Sequence, residues 1–297
     1  MHLKYSIQSN PGKREISRKG EQMTSTPSIE ACCKTDIGLK RSQNEDVCAV
    51  SKEHNFFMIA DGMGGAAKGD LASRFFLTAT ENIFTARTTP RTPTLKERFY
   101  ACFDDSDGEE ENPQHQALNL IKDKTYACFE TANNTIQEHI KKIPTHAGMG
   151  CTAELLTFHK NHYIIGHIGD SRSYLLSANT PLRQLTKDHS LVQDQVDNGS
   201  IGQHQAQTSM LKNVLTRAVG VAPHLEVDII SGQIHPGDTF LLCSDGLHNM
   251  VSEQEIEAVL TFDAPLDLKA EMLVNMANDN GGRDNISVTL VQIQSGQ

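Results

Sequence analysis

The sequence predicts an α+β protein built as a four-layer sandwich, with two central antiparallel β-sheets flanked by antiparallel helix pairs. Three observations carry this expectation. Short apolar runs recur along the chain, mostly with hairpin-length connections, which favours antiparallel pairing. Two pairs of amphipathic helical patterns stand apart, one in the first half and one near the C-terminus. The strands are numerous enough for two sheets, and each sheet then has a helix pair to cover its outer face.

Taken in order, Ile29 to Asp36 reads as the first strand, and Ile37 to Lys40 as a loop. A second strand, Val47 to Val50, and a third beginning at Phe56 are joined by the polar turn Ser51 to Asn55. If Val50 faces Phe57, the antiparallel register sets Asp46 opposite Asp61. Gly69 to Phe84 is a helix, with Leu71, Phe75, Ala79 and Ile83 recurring every four residues. The prolines Pro90 and Pro93 end it, and residues 88–115 read as a surface insertion with a short helix near Leu95 to Phe103. A long helix follows from about Gln116 to Lys142. Cys151 to Phe158, Tyr163 to Ile168 and Arg172 to Leu176 form a three-strand meander. Residues 188–221 are polar and weakly periodic, and are expected to form short helices in a mobile flap outside the core. Leu225 to Ile230 and Asp238 to Cys243 are further strands, Ser252 to Leu260 and Ala264 to Asn278 helices, and Ile286 to Ile293 the last strand. The chain thus reads as one domain over 29–297 after a flexible extension over 1–28.

Composition narrows the function classes. The 297 residues carry a net charge of −10, part of it in the six acids between Asp104 and Glu111, which read as a solvated loop. No basic stripe suited to phosphate backbones is present, so nucleic acid is not an expected partner. No run of about 18 apolar residues suggests a membrane span. The first 22 residues are polar and basic, without the apolar centre of a secretory signal. Seven cysteines, an odd number with no C-x-x-C spacing, point to a reducing compartment and a cytoplasmic protein.

One stretch organises the rest. Phe56 to Ala60 is a continuous apolar run that delivers Asp61 to a glycine-rich turn, Gly62-Met63-Gly64-Gly65. An Asp-Gly pair alone is an ordinary turn. Three further acids repeat the design: Asp170 and Asp245 follow apolar strands, and Asp284 precedes one, as Asp46 does. In an antiparallel sheet, the end of one strand lies beside the start of its neighbour, so all five carboxylates can gather on one rim. Directly opposed side chains have Cβ atoms ~4.5–5.5 Å apart. Like charges at that spacing repel unless a cation sits between them, and hard cations favour carboxylate and carbonyl oxygen.

These residues resemble the metal-dependent protein phosphatases of the type-2C (PPM) family, in its bacterial-like branch. The resemblance runs in order through Gly38-x-x-Arg41-x-x-Asn44-Glu45-Asp46, Asp61-Gly62-Met63-Gly64-Gly65, Gly150-Cys151-Thr152-Ala153, Gly169-Asp170-Ser171-Arg172, Asn213 to Gly220, Ser244-Asp245-Gly246-Leu247 and Asp284-Asn285. It implies a serine/threonine phosphatase that hydrolyses phosphoserine and phosphothreonine monoesters by attack of a metal-bridging hydroxide. It also implies two core Mn²⁺ or Mg²⁺ ions and a third, weaker one. Asp61 would bridge two metals, with the Gly62 carbonyl on one. Asp46, Asp245 and Asp284 would complete the shells, Asp170 and Asp245 would hold the third ion, and Glu45 and Asn285 would hydrogen-bond metal-bound waters. Arg41 would fork onto two phosphate oxygens. Phosphorylated proteins are the implied substrates, a Ser/Thr kinase the implied counterpart, and a monomer the expected state.

One departure concerns the leaving group. Eukaryotic members often carry histidine after the Asp-Gly pair, and Met63 cannot donate a proton. A metal-bound water or another acid would have to serve. The spacing His159-x-x-His162, with His167, is reminiscent of zinc sites but lacks a cysteine cluster and lies in and around a strand. Cys151 lacks a matching histidine and is expected to pack beside the sheet. Two alternatives stay open: a phosphatase-shaped binding protein without catalysis, and a metal hydrolase of small phosphate monoesters.

Overall fold

From its first edge strand, β1 (Ile29–Asp36), the chain enters the hairpin β2 (Val47–Ser51) and β3 (Phe56–Met63). The structure, a computed structural model, describes residues 28–64, 68–86, 113–178 and 180–294. After β3 come helices α1 (Gly69–Thr85) and α2 (Pro113–Lys142), then β4 (Gly150–His159), β5 (His162–Ile168), β6 (Arg172–Leu176) and the short β7 (Arg183–Gln184). Two short helices, α3 (Leu191–Asp197) and α4 (Gln203–Thr208), lead to β8 (Asp228–Gln233) and β9 (Thr239–Cys243). The chain closes with α5 (Asp245–His248), α6 (Glu253–Thr261), α7 (Leu266–Asp279) and β10 (Ile286–Ile293). One sheet has the order β1-β10-β9-β6-β7, the other β2-β3-β4-β5-β8, and every pairing is antiparallel.

The four expected layers are present. Met58 and Ala60 pack with Phe76, Ile83, Phe129 and Ile136 of α1 and α2. Leu241, Cys243, Val288 and Leu290 pack on the other side with Ile256, Leu260, Leu273 and Ala277 of α6 and α7. Between the sheets lie Phe57, Ile59, Leu156, Ile165, Phe240, Leu242 and Val291. Both faces of the inner strands are covered, so β4 is buried along nearly its whole length and β9 along all of it.

Strand parity turns this packing into a site. Side chains alternate across a strand, so Asp61 shares the inter-sheet face of Phe57 and Ile59. The same alternation runs from Leu156 to Glu154 and Thr152 on β4, and from Val291 to Thr289, Ser287 and Asn285 on β10. The interior is therefore apolar at one end of the sandwich and polar at the other. The β2–β3 register pairs Val50 with Phe57 and Val47 with Ala60, as expected from the sequence. A bond from Gly62 N to Glu45 O at 3.2 Å continues it past the hairpin, setting Asp46 opposite Asp61.

Some boundaries differ. Residues 113–115, assigned to the insertion, form the first turn of α2, opened by a proline whose missing N–H costs nothing there. The strand expected at Leu225 to Ile230 is β8 at Asp228–Gln233. Leu225 and Val227 instead pack against the α1–α2 core, and the polar Ser231 and Gly232 pair with Ile164 and Tyr163. Gly232 fits because a Cβ there would lie 2.6 Å from the Tyr163 ring. The 188–221 stretch holds the expected short helices, but its ends are built into the core. Val219 is fully buried and bridged to Cys151, and Ser190 is bridged to Leu215. The remaining insertion, with its helix near Leu95 to Phe103, and the extension up to residue 27 lie outside the described residues.

Candidate metal centre

At the polar end, a cleft of about 360 Å³ is lined by Glu45, Asp61, Asp170, Asp245 and Asp284 together with Arg41, Gly62, Met63, Thr152, Asn213, Leu215 and Asn285. Asp46 lies just behind it, 6% exposed. The structure thus brings Arg41, Glu45, Asp61, Gly62, Asp170, Asp245, Asp284 and Asn285 together around one cleft, with Asp46 behind them. Each arrives from a different place: Asp61 at the end of β3, Asp170 in the β5–β6 turn, Asp245 at the start of α5, and Asp46 and Asp284 just before β2 and β10.

Backbone fit holds these rims close. A Cβ on Gly62 would lie 2.2 Å from the Gly69 carbonyl oxygen and 2.6 Å from that of Glu45, so only glycine lets α1 start against the β3 terminus. The Glu45 carbonyl oxygen also accepts from Ser73 Oγ at 2.7 Å, fixing the loop before β2 to α1. Asn285 works from the other sheet. Its amide nitrogen donates to Ile37 O and Gln43 O, both at 2.9 Å, and its Oδ1 accepts from Glu45 N at 2.8 Å. One amide proton thus holds the Arg41–Asp46 loop at Gln43 and the other holds Ile37 ahead of it, while Oδ1 holds the loop at Glu45 N.

The electrostatics are strained. Burial and then the neighbouring carboxylates, Asp46 first among them, hold Asp61 well above the ordinary carboxylate range. Burial and then Asp170 do the same to Asp245. Asp46 is pushed up to about 6 by burial, and Asp170 to about 6 by burial and Asp188. Glu45 is raised, again chiefly by burial. Among the described residues Arg41 is the one basic residue lining the cleft, and its Nη2 donates to Asp284 Oδ2 at 2.5 Å. That contact raises the Arg41 pKa.

These donors fit a hard divalent cation. Both carboxylate oxygens of Asp46 are buried without a hydrogen-bond partner, although the hydroxyls of Ser287 and Ser244 and the Asp61 carboxyl lie near enough to bias its charge. Buried carboxylates are otherwise paired or bound to metal. Among the described residues, no three acidic, histidine or cysteine side chains close on one point as a ready-made cage. Ions such as Mg²⁺ keep several waters and take only one or two carboxylates each, so they do not require such a cage.

Some lining residues were not among the sequence candidates. Thr152 stands opposite Asp61 in the β3–β4 ladder, so the register carried the signal for it. Asn213 and Leu215 reach the cleft from the 188–221 stretch. No strand or helix period marks them, and their place depends on the bridge of Leu215 to Ser190.

Comparison with known proteins agrees with this geometry. The family model described as protein phosphatase 2C matches residues 40–287. The serine/threonine phosphatase stp of Listeria welshimeri is 35% identical over 262 residues, covering 87% of this chain and 94% of that protein. The solved structure of the Streptococcus agalactiae serine/threonine phosphatase is 31% identical with a TM-score of 0.75, covering 90% of this chain and all of that one. The catalytic domain of the serine/threonine protein phosphatase PstP, solved with two manganese ions, is 28% identical with a TM-score of 0.71, covering 90% and 99%.

Proposed function

The chain belongs to the protein phosphatase 2C family, in its bacterial type, and from that premise we propose that it is a metal-dependent enzyme hydrolysing phosphoserine and phosphothreonine monoesters in proteins. The observation that carries the reading is the charge imbalance of the cleft: among the described residues five carboxylates line it against one arginine, with the orphaned Asp46 carboxylate behind. Asp46, Asp61, Asp245, Asp284 and the Gly62 carbonyl would hold two Mn²⁺ or Mg²⁺ ions, and Asp170 with Asp245 a third. When bound, such ions lower the pKa of water toward neutrality and screen the charge growing on a phosphoryl group.

The chain's own residues supply the rest. Arg41 stands half-exposed at the mouth of the cleft, with a planar fork able to take two phosphate oxygens. Engaging phosphate means leaving Asp284, which is then free for a cation. Asn285 and Ser73 hold the loop that carries Arg41, Glu45 and Asp46. Met63 lines the cleft where a proton donor would help the leaving alkoxide, and it has no proton to give. The substrates would be phosphoproteins made by a Ser/Thr kinase, met by a monomeric enzyme in the cytoplasm. The free thiols of the described cysteines accord with a reducing compartment. Among the described residues, no helix is long and apolar enough to cross a membrane.

The test is a phosphatase assay on phosphothreonine and phosphoserine peptides, before and after chelation. Activity should vanish with the metal and return with Mn²⁺ or Mg²⁺. Full turnover in chelator-treated, metal-free protein would refute the reading. Faster turnover of nucleotides than of phosphopeptides would favour a small-phosphate hydrolase instead.

A further inference from the structure

Behind the cleft, between the sheets, sit two ionisable side chains that the reaction described above does not use. Glu154 on β4 and His167 on β5 are ladder partners, and both are 0% exposed. His167 Nδ1 is hydrogen-bonded to Glu154 Oε1. Glu154 Oε2 accepts from Ser173 Oγ of the opposite sheet at 2.5 Å. His167 Nε2 donates to Lys187 O at 2.8 Å. A carbonyl can only accept, so Nε2 carries a proton, and the bond between Nδ1 and Oε1 holds one more that the pair shares.

A buried pair of this kind is weak evidence for stability, since apolar residues of similar volume often serve as well. Where its hydrogen bonds lead is more informative. Lys187 opens a short loop that is tied on two sides. On one side, His189 N donates to Gly169 O at 2.7 Å, Gly169 N donates to His189 Nδ1 at 3.1 Å, and Asp188 takes both arms of the Arg172 fork at 2.8 Å. Gly169 and Arg172 flank Asp170. On the other side, Thr216 N donates to His189 O at 2.9 Å and Leu191 N to Val214 O at 2.8 Å. That side carries Asn213 and Leu215 into the cleft. The His167 and His189 rings pack against each other tilted by 38°, with centroids 4.6 Å apart.

We propose that Glu154 and His167 are positioning residues for the phosphatase reaction: the chain Ser173–Glu154–His167–Lys187 O pins the Lys187–Ser190 loop. That loop in turn holds Asp170 and the Asn213–Leu215 wall in the cleft. The inference rests on the phosphatase reading above. It assigns the buried pair no contact with substrate and no proton transfer to it.

Three substitutions of graded severity test this in the full chain: His167→Ala, His167→Gln and Glu154→Gln. Each is measured by amide hydrogen exchange over 187–190 and 214–216, by calorimetric counting of bound Mn²⁺, and by kcat and KM on a phosphothreonine peptide. His167→Ala should speed exchange in both segments, weaken the Mn²⁺ that needs Asp170, and lower kcat about ten- to a hundredfold with KM nearly unchanged. In Glu154→Gln the side-chain amide can still donate to His167 Nδ1 and accept from Ser173, so this variant should keep the loop closed and most of kcat. His167→Gln should fall between, because its amide reaches toward Lys187 O but leaves Glu154 Oε1 unpartnered, with only the Ser173 bond at Oε2 remaining. Loop protection and kcat should thus move together across every variant that folds. A folded variant in which one falls and the other stays at the wild-type value overturns the proposal. Inactivity of the wild-type protein on phosphopeptides would instead overturn the phosphatase reading. Exchange and Mn²⁺ counts would then still decide the loop's role, with unchanged values in His167→Ala refuting it.

Discussion

Arg41→Ala separates two roles of one side chain, its pairing with Asp284 and the proposed grip on phosphate. Arg41 Nη2 sits 2.5 Å from Asp284 Oδ2, with side chains 52% and 31% exposed. A pair this open contributes about 0–1 kcal/mol to folding. Its loss should lower Tm by about 2–4 °C at most. A phosphate gripped by the same guanidinium is a charge-assisted contact worth ~1.5–3 kcal/mol. That corresponds to about ten- to a hundredfold in kcat/KM. Arg41→Ala should therefore be nearly silent in a melting curve and clear in kinetics. Arg41→Lys should recover little, since an ammonium cannot reproduce the fork. If the grip is equal in ground and transition states, the loss falls in KM; if it tightens toward the transition state, kcat falls as well. The assay is kcat/KM on a phosphothreonine peptide at saturating Mn²⁺, with bound metal counted in the same sample. Wild-type kcat/KM in Arg41→Ala with metal bound would refute the phosphate grip. A loss that tracks metal occupancy would place the role of Arg41 with Asp284 instead.

Asp61→Asn should abolish turnover and empty the core ions, whereas Asp170→Asn should impair turnover with two ions still bound; anomalous scattering or calorimetry counts them, and an empty centre in Asp170→Asn would defeat the distinction. Gly62→Ala places a Cβ 2.2 Å from the Gly69 carbonyl oxygen, so backbone must shift. Overpacking of that kind costs about 1–3 kcal/mol, and an unchanged Tm would contradict the close approach. The gain in Tm on adding Mn²⁺ should be larger at pH 7.5 than at pH 5. The folded-state pKa values of Asp46 and Asp170, about 6, stand above the unfolded carboxylate value. Protons therefore favour the metal-free native state at low pH, and that contribution is lost as pH rises through about 6. Cations replace those protons, and an increment that shrinks with rising pH would refute the assignment.

Much of this was legible in the sequence because one rule, alternation along a strand, governs both core and site. Phe57, Ile59 and Asp61 share a face, so the apolar run that signalled a strand also aimed the carboxylate. The pairing of Val50 with Phe57, only a condition when the sequence is read alone because two continuous apolar runs do not set a register, is the one adopted. The rule failed where packing rather than alternation places a residue. Leu225 and Val227 look like strand positions but pack on the α1–α2 core, while Ser231 and Gly232 look like a loop and extend the sheet. Asn213 and Leu215 carry no period and reach the cleft through long-range ties to Ser190 and Leu191. The role of Asn285 was likewise hidden, because its partners are backbone groups of Ile37, Gln43 and Glu45, about 240 residues away in the chain.

The placement of the acids at the end of the inter-sheet core has an energetic consequence. The sheets are held together through Phe57, Ile59, Phe240 and Leu242 at one end, and among the described residues this apolar cluster does not continue to the other. There the facing groups are Asp46 and Asp61 on one sheet, and on the other Ser244, Ser287 and Asn285 with the adjoining Asp245 and Asp284. Burial first, and then the neighbouring carboxylates, hold Asp61 and Asp245 well above the ordinary carboxylate range, so charging that end without cations is unfavourable. A divalent ion bound, as proposed, by carboxylates from both sheets would supply the missing attraction, and its binding free energy would add to the stability of the folded state by linkage. Catalytic competence and closure of the sandwich would then be one event. The acids that would make a metal-free rim unstable are the ones that make the loaded rim reactive.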